Sequence, residues 1–200
     1  MTRLVLATRN PHKVGELQAI LTSLGLDVEL IGLPDDAPEV VEDGETFDDN
    51  ALKKARSAAL ATRLPAVADD SGLCVDALNG MPGVFSARWS GRHGDDASNL
   101  RLVLDQLTDV PDARRGAWFV CAAALALPSG EEHLVEGRLT GVLTREPRGS
   151  GGFGYDPVFV PDGFDRTTAE MTPEEKNAIS HRGNAFRALA PAIRELVLAR

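Results

Sequence analysis

The sequence predicts a mixed α/β fold, and three observations carry that prediction. A short apolar run, a stretch of helical periodicity and a second apolar run open the chain. Two long β-like segments flank Pro128-Ser129-Gly130 in its middle. Capped helical patterns close it. Alternation of this kind builds layered α/β proteins, and the proline–serine–glycine break between two strands predicts a long antiparallel hairpin.

Taken in order, Arg3 to Thr8 is apolar and too brief for a helix, so it reads as a buried strand. Asn10-Pro11 then offers an N-cap followed by proline at the first helical position. Val14, Leu17, Ile20, Leu21 and Leu24 recur at helical spacing until Gly25 supplies the stop. Asp27 to Leu33 reads as a second strand, and Asp35 to Glu45 as an acidic loop. Thr46 caps a helix with Leu52, Ala55, Ala58 and Ala59 on its apolar side, running to about Arg63. Pro65 to Ala68 is a third apolar run, ending in Asp69-Asp70-Ser71-Gly72. No periodicity organises the Gly/Pro-rich connection from Gly80 to Gly94. Leu100, Val103, Leu104 and Leu107 mark an amphipathic helix, and Ala117 to Leu127 and His133 to Leu143 are the hairpin strands. Pro157 to Val160 is a short strand. Thr172-Pro173-Glu174-Glu175 is a capping box opening a short helix toward Ile179. The last helix runs from about Arg182 to Leu198 and is kinked or interrupted at Pro191.

Composition narrows the function. At 200 residues, 43% hydrophobic and 26% charged, the chain suits one large domain or two intimately packed lobes. Its 21 basic and 30 acidic residues leave a formal charge of −9, which argues against a surface built to grip nucleic acid. No apolar run approaches the ~20 residues of a membrane span, and no signal peptide opens the chain. Cys74 and Cys121, like His12, His93 and His133, stand in no metal-ligand spacing. A cytoplasmic protein is the expectation.

Four segments can carry chemistry. In Thr8-Arg9-Asn10-Pro11-His12-Lys13 a strand turns into a helix, where backbone N–H groups and the helix dipole attract anions. Thr8 and Asn10 add donors and Lys13 adds charge, although a cap and a solvated lysine account for the same residues. It is no Walker A loop, because the spacing is absent. In Asp69-Asp70-Ser71-Gly72 two adjacent carboxylates point to opposite faces if the strand continues, so one of them faces any given site. Beside a phosphate site such a carboxylate suits Mg²⁺, with Glu42 of the acidic loop as a second ligand. A simple turn is the competing account, and this composition favours it. Gly149, Gly151 and Gly154 match a dinucleotide-binding spacing, but a strand follows where a helix is required. Phe153 among these glycines suits stacking of a base. Lys176, then Ser180-His181-Arg182, place positive charge at a helix junction, with Ser180 as a cap.

Together these segments resemble the inosine triphosphate pyrophosphatase family, which removes non-canonical purine nucleoside triphosphates from the nucleotide pool. The resemblance rests on Thr8-x-Asn10-x-x-Lys13, on Ala68-Asp69-Asp70-Ser71-Gly72-Leu73, on Gly151-Gly152-Phe153-Gly154-Tyr155-Asp156-Pro157 and on Glu175-Lys176-Asn177-Ala178-Ile179-Ser180-His181-Arg182-Gly183. Glu42-Asp43-Gly44-Glu45-Thr46-Phe47 with Asn50-Ala51 adds to it, and the match runs over nearly the whole chain. It implies one domain spanning residues 1–200, an elongated mixed sheet with flanking helices and two lobes around a central cleft, and a homodimer. It implies Mg²⁺-dependent hydrolysis of ITP, dITP and XTP to monophosphate and pyrophosphate. Asp70 would be the proton acceptor, Glu42 and Asp70 the metal ligands, and Thr8, Arg9, Asn10, Pro11, His12 and Lys13 the triphosphate cradle. Ser71, Phe153, Gly154, Tyr155, Asp156, Lys176, His181 and Arg182 would contact substrate, mostly around base and sugar. Two other classes compete: a nucleotide sensor without turnover, which needs no Asp70, and a hydride-transfer enzyme suggested by the glycine spacing.

Overall fold

The computed structural model describes residues 2–9 and 11–199, except for the side chains of Pro11, His12 and Glu16. Six strands form one mixed sheet: β1 (Thr2–Leu6), β2 (Val28–Ile31), β3 (Ala66–Val75), β4 (Gly116–Ala126), β5 (Glu132–Leu143) and β6 (Phe159–Pro161). They hydrogen-bond in the order β2-β1-β3-β4-β5-β6. β1 runs parallel to β2 and β3, and β6 antiparallel to β5. The β1–β2 crossover is α1 (Pro11–Ser23), since parallel neighbours need a long connection. β4 and β5 are joined through Leu127–Glu131, a link short enough only for an antiparallel hairpin. The remaining helices are α2 (Phe47–Thr62), α3 (Asp96–Gln106), α4 (Pro173–Ile179) and α5 (His181–Ile193).

The chain divides into two compact units. The first comprises the chain up to Asp70, Cys121–Gly137 and the chain from Arg182; the second comprises Ser71–Val120 and Arg138–His181. Strand alternation builds the first unit's two apolar layers. Val67, Cys121, Ala123 and Leu125 pack with Leu17 and Leu21 of α1 and Phe186 and Leu189 of α5. Val5, Ala66, Ala68, Ala122, Ala124 and Ala126 meet the alanine face of α2 (Ala51, Ala55, Ala58, Ala59), small side chains against small. The second unit's core joins Val103, Leu104 and Leu107 to Leu73, Phe119, Tyr155 and Phe159.

Two of the signalled caps, Thr46 and Thr172, form. Thr46 accepts from the N–H of Asp49 at the start of α2, and Arg63 closes that helix in the left-handed region. Thr172 and Glu175 form the reciprocal capping box of α4. The cap expected of Asn10 lies outside the described residues.

Four expectations need correction. Asp69-Asp70-Ser71-Gly72 is no turn: β3 runs on to Val75, because each carboxylate finds partners that compensate its burial. β6 begins at Phe159, since Asp156–Val158 forms a short 3₁₀ turn around Pro157. The segment from Gly80 to Gly94 is organised after all. It contains the 3₁₀ helix Gly83–Arg88, held by Ser86, which donates to Gly83 O and accepts from the N–H of Leu73. Pro191 sits inside α5, and the interruption follows it as a π turn, Arg194–Leu198. Among the described residues no helix is long and apolar enough to cross a membrane.

Candidate functional site

In the first unit the even positions of β3 face α2, so Asp70 follows Ala66 and Ala68 onto the face that Asn50 and Lys54 present. Those two residues lie four apart on one side of α2. Asn50 Nδ2 donates to Asp70 Oδ2 at 3.0 Å. Lys54 Nζ lies 3.4 Å from Asp70 Oδ1 and 3.3 Å from Glu42 Oε1, so one ammonium faces two carboxylates. Beside it opens a cavity of about 210 Å³ lined by Thr8, Arg9, Leu33, Glu39, Glu42 and Lys54. Arg9 donates to the carbonyl of Ala37 in the acidic loop at 2.5 Å.

Asp69, on the opposite face, meets α5. Arg182 gives it two hydrogen bonds, from Nε at 3.1 Å and Nη2 at 3.0 Å. The two neighbouring carboxylates therefore differ in acidity. Burial alone would raise Asp69, but the charges of Arg182, Lys13 and Lys54 and the Arg182 hydrogen bond outweigh it and hold the group well below the usual carboxylate range. Burial pushes Asp70 up, and Glu42 and Asp69 add to the effect, while Lys54 and the Asn50 hydrogen bond oppose it.

The donor chemistry here fits Mg²⁺. Two hard carboxylates converge on a single cation, the Lys54 ammonium. Among the described residues no group of three or more His, Cys, Asp or Glu could hold a metal. A site of two carboxylates, completed by substrate and water oxygens, is the kind Mg²⁺ uses.

The second unit holds a pocket of about 130 Å³ lined by Ser71, Asp96, Phe119, Phe153, Lys176 and His181, among others. Phe119 and His181 stack with centroids 4.9 Å apart and planes 13° apart. Phe153 is 62% exposed, and the Lys176 ammonium lies 4.7 Å from its centroid. The glycine-rich loop is a fixed support. Asp156, 3% exposed, accepts from the Phe153 N–H at 2.8 Å, from Lys176 Nζ at 2.5 Å and from Thr168 Oγ1 at 2.8 Å. Asp96 accepts from the Gly154 N–H at 2.9 Å. Gly152 has φ +69°, and a Cβ there would collide with the Asp156 carboxylate, so only glycine fits. The buried Tyr155 hydroxyl donates to the carbonyl of Ser86 at 2.8 Å; burial, then the charge of Asp96, pushes its pKa up.

Thr8, Arg9 and Glu42 thus line the cavity of the first unit, Asp70 meets its Lys54, and Lys13 is exposed on α1. Ser71, Phe153, Gly154, Tyr155, Asp156, Lys176 and His181 line the pocket of the second. Asn10 and the side chains of Pro11 and His12 lie outside the described residues. Arg182, expected near the base, belongs to the first unit and pairs with Asp69. Lys54, the bridging role of Asn50, and Asp96 escape sequence reasoning. The four-residue spacing of Asn50 and Lys54 on a helix starting at Thr46 was the available signal.

The sequence pattern of the Ham1 family matches residues 4–192. A dITP/XTP pyrophosphatase of Streptomyces coelicolor is 63% identical over 201 residues, covering 98% of this chain and all of that one. The crystal structure of a Mycobacterium abscessus nucleoside-triphosphatase (dITP/XTP pyrophosphatase) shares 58% identity with a TM-score of 0.79, over 94% of this chain and 99% of that one. A HAM1 protein from Coxiella burnetii shares 43% identity with a TM-score of 0.89, over 98% of this chain and 100% of that one.

Proposed function

The chain belongs to the Ham1 family, and on that premise we propose that it hydrolyses non-canonical purine nucleoside triphosphates, dITP, ITP and XTP, to the monophosphate and pyrophosphate. The observation that carries this reading is the convergence of Glu42 and Asp70 on Lys54, which with Glu42, Thr8 and Arg9 lines one cavity.

Glu42 and Asp70 would hold Mg²⁺, which would supply positive charge to neutralise the phosphates and polarise the bond to be broken. Asp70 accepts the proton of the attacking water, whose oxygen bonds to the α-phosphorus as the α–β bridging bond breaks and pyrophosphate leaves. Lys54 and Lys13 present fixed positive charge to the phosphates, while Arg182 keeps Asp69 ionised and in place. In the second unit Phe153 stacks on the purine, and Ser71, His181 and Lys176 contact base and sugar. The protein works as a homodimer in the cytoplasm on the nucleotide pool; light scattering of the purified chain checks the dimer.

One panel tests the activity. Purified protein is given dITP, XTP, dATP and dGTP, with Mg²⁺ or with EDTA, and the products are separated by ion exchange. Monophosphate and pyrophosphate from dITP and XTP, only with Mg²⁺, are expected. Diphosphate and orthophosphate as products, or turnover undiminished in EDTA, would overturn the reading.

A further inference from the structure

Asn50 is 1% exposed, at the fourth residue of α2, and both ends of its carboxamide are engaged. Oδ1 accepts from the N–H of Gly44 at 2.8 Å, and Nδ2 donates to Asp70 Oδ2 at 3.0 Å. Gly44 stands two residues beyond Glu42 in the acidic loop. One rigid, planar group therefore ties the loop that carries one carboxylate to the strand that carries the other. Lys54, one turn further along α2, reaches both carboxylates.

We propose that Asn50 is a positioning residue, whose carboxamide sets Asp70 and the Glu42-bearing loop in one arrangement so that both carboxylates face the same cation. The inference rests on the metal-dependent hydrolysis proposed above.

Only an amide meets both demands at this place. An aspartate offers acceptors to Gly44 but sets a like charge against Asp70. A leucine of similar volume leaves the Gly44 N–H without its acceptor and removes a donor from Asp70. Gly44 supplies an independent sign that the loop is seated on this amide. A Cβ there would lie 2.6 Å from Asn50 Oδ1 and 2.7 Å from the Asp49 Cβ, so the close approach requires glycine. Partners that orient metal ligands in this way typically matter by ~10–100-fold in affinity or activity.

The test uses Asn50→Leu, which keeps the volume and removes both hydrogen bonds, and Gly44→Ala, whose Cβ crowds the Asn50 carboxamide and forces the loop off its seat. Mn²⁺ binding to the nucleotide-free protein is read by electron paramagnetic resonance, alongside kcat and KM for dITP with Mg²⁺. Both variants should bind Mn²⁺ ~10–100-fold more weakly and lose kcat by a similar factor. KM for dITP should change less than about threefold, because the base pocket is untouched. A merely structural role would move the unfolding temperature without that split. Mn²⁺ affinity within twofold of the unmutated protein in either variant would overturn the assignment of Asn50. An unmutated protein that neither binds Mn²⁺ nor needs a divalent cation for turnover would instead remove the metal reading beneath it.

Discussion

Asp69 and Asp70 share a strand and a side-chain type, yet opposite faces give them opposite acidities. Asp70 is the residue whose loss should stop turnover. Asp70→Asn keeps the shape, so kcat should fall ~10²–10⁴-fold while the thermal midpoint changes little; turnover within tenfold of the unmutated protein at saturating Mg²⁺ removes it from the mechanism. Asp69 should show itself in stability. Asp69→Asn leaves the buried Arg182 guanidinium without its carboxylate, a loss of about 3 kcal/mol at pH 7. The native pKa of Asp69 is depressed, so its contribution is complete above the ordinary value of about 3.9 and disappears as pH falls toward the native value. The gap between the two proteins in urea midpoint should thus be widest near neutral pH and narrow steadily below about pH 4. The role proposed for Lys13 is one of charge. Lys13→Ala should raise KM by a similar factor for every triphosphate, and a loss confined to one base would place it elsewhere.

At the scale of elements, the loop from Gly151 to Tyr155 presents Phe153 because two carboxylates hold its backbone, Asp156 at the Phe153 N–H and Asp96 at the Gly154 N–H. Asp96 comes from the first turn of α3, a helix whose far end is tied by Arg115 through the carbonyl of Leu107. Asp96→Ala frees one side of the loop, so KM for dITP should rise several-fold with kcat nearly kept, as expected when stacking is loosened and the reacting groups are not. Equal losses in kcat and kcat/KM would mean the loop acts on the chemistry itself. The caps of α2 and α4 were legible beforehand because a capping motif is complete within four residues. The ordered turn at Gly83–Arg88 was not, since Ser86 organises it through hydrogen bonds that have no periodicity.

Over the whole molecule, selectivity is the property to predict. The pocket of the second unit offers an aromatic face that accepts every base, together with the Lys176 ammonium, whose N–H groups are donors. A 6-oxo purine can accept from them, whereas the 6-amino group of adenine sets a donor against donors. Sites of this kind discriminate by ~10⁴-fold or more, so kcat/KM for dITP should exceed that for dATP by a wide margin; comparable values would end this account. The sequence by itself determined the succession of strands and helices, the caps at Thr46 and Thr172 and the long hairpin. Each of these follows from interactions between residues a few positions apart. Tertiary structure alone decided that β3 continues through two aspartates, that Asp70 meets Asn50 across 20 positions and that Asp69 meets Arg182 across 113. Burying a carboxylate in a strand is favourable only once a partner is in place. Those partners come from helices whose facing is set by the packing of alanine against alanine on one side of the sheet and of leucine and phenylalanine on the other.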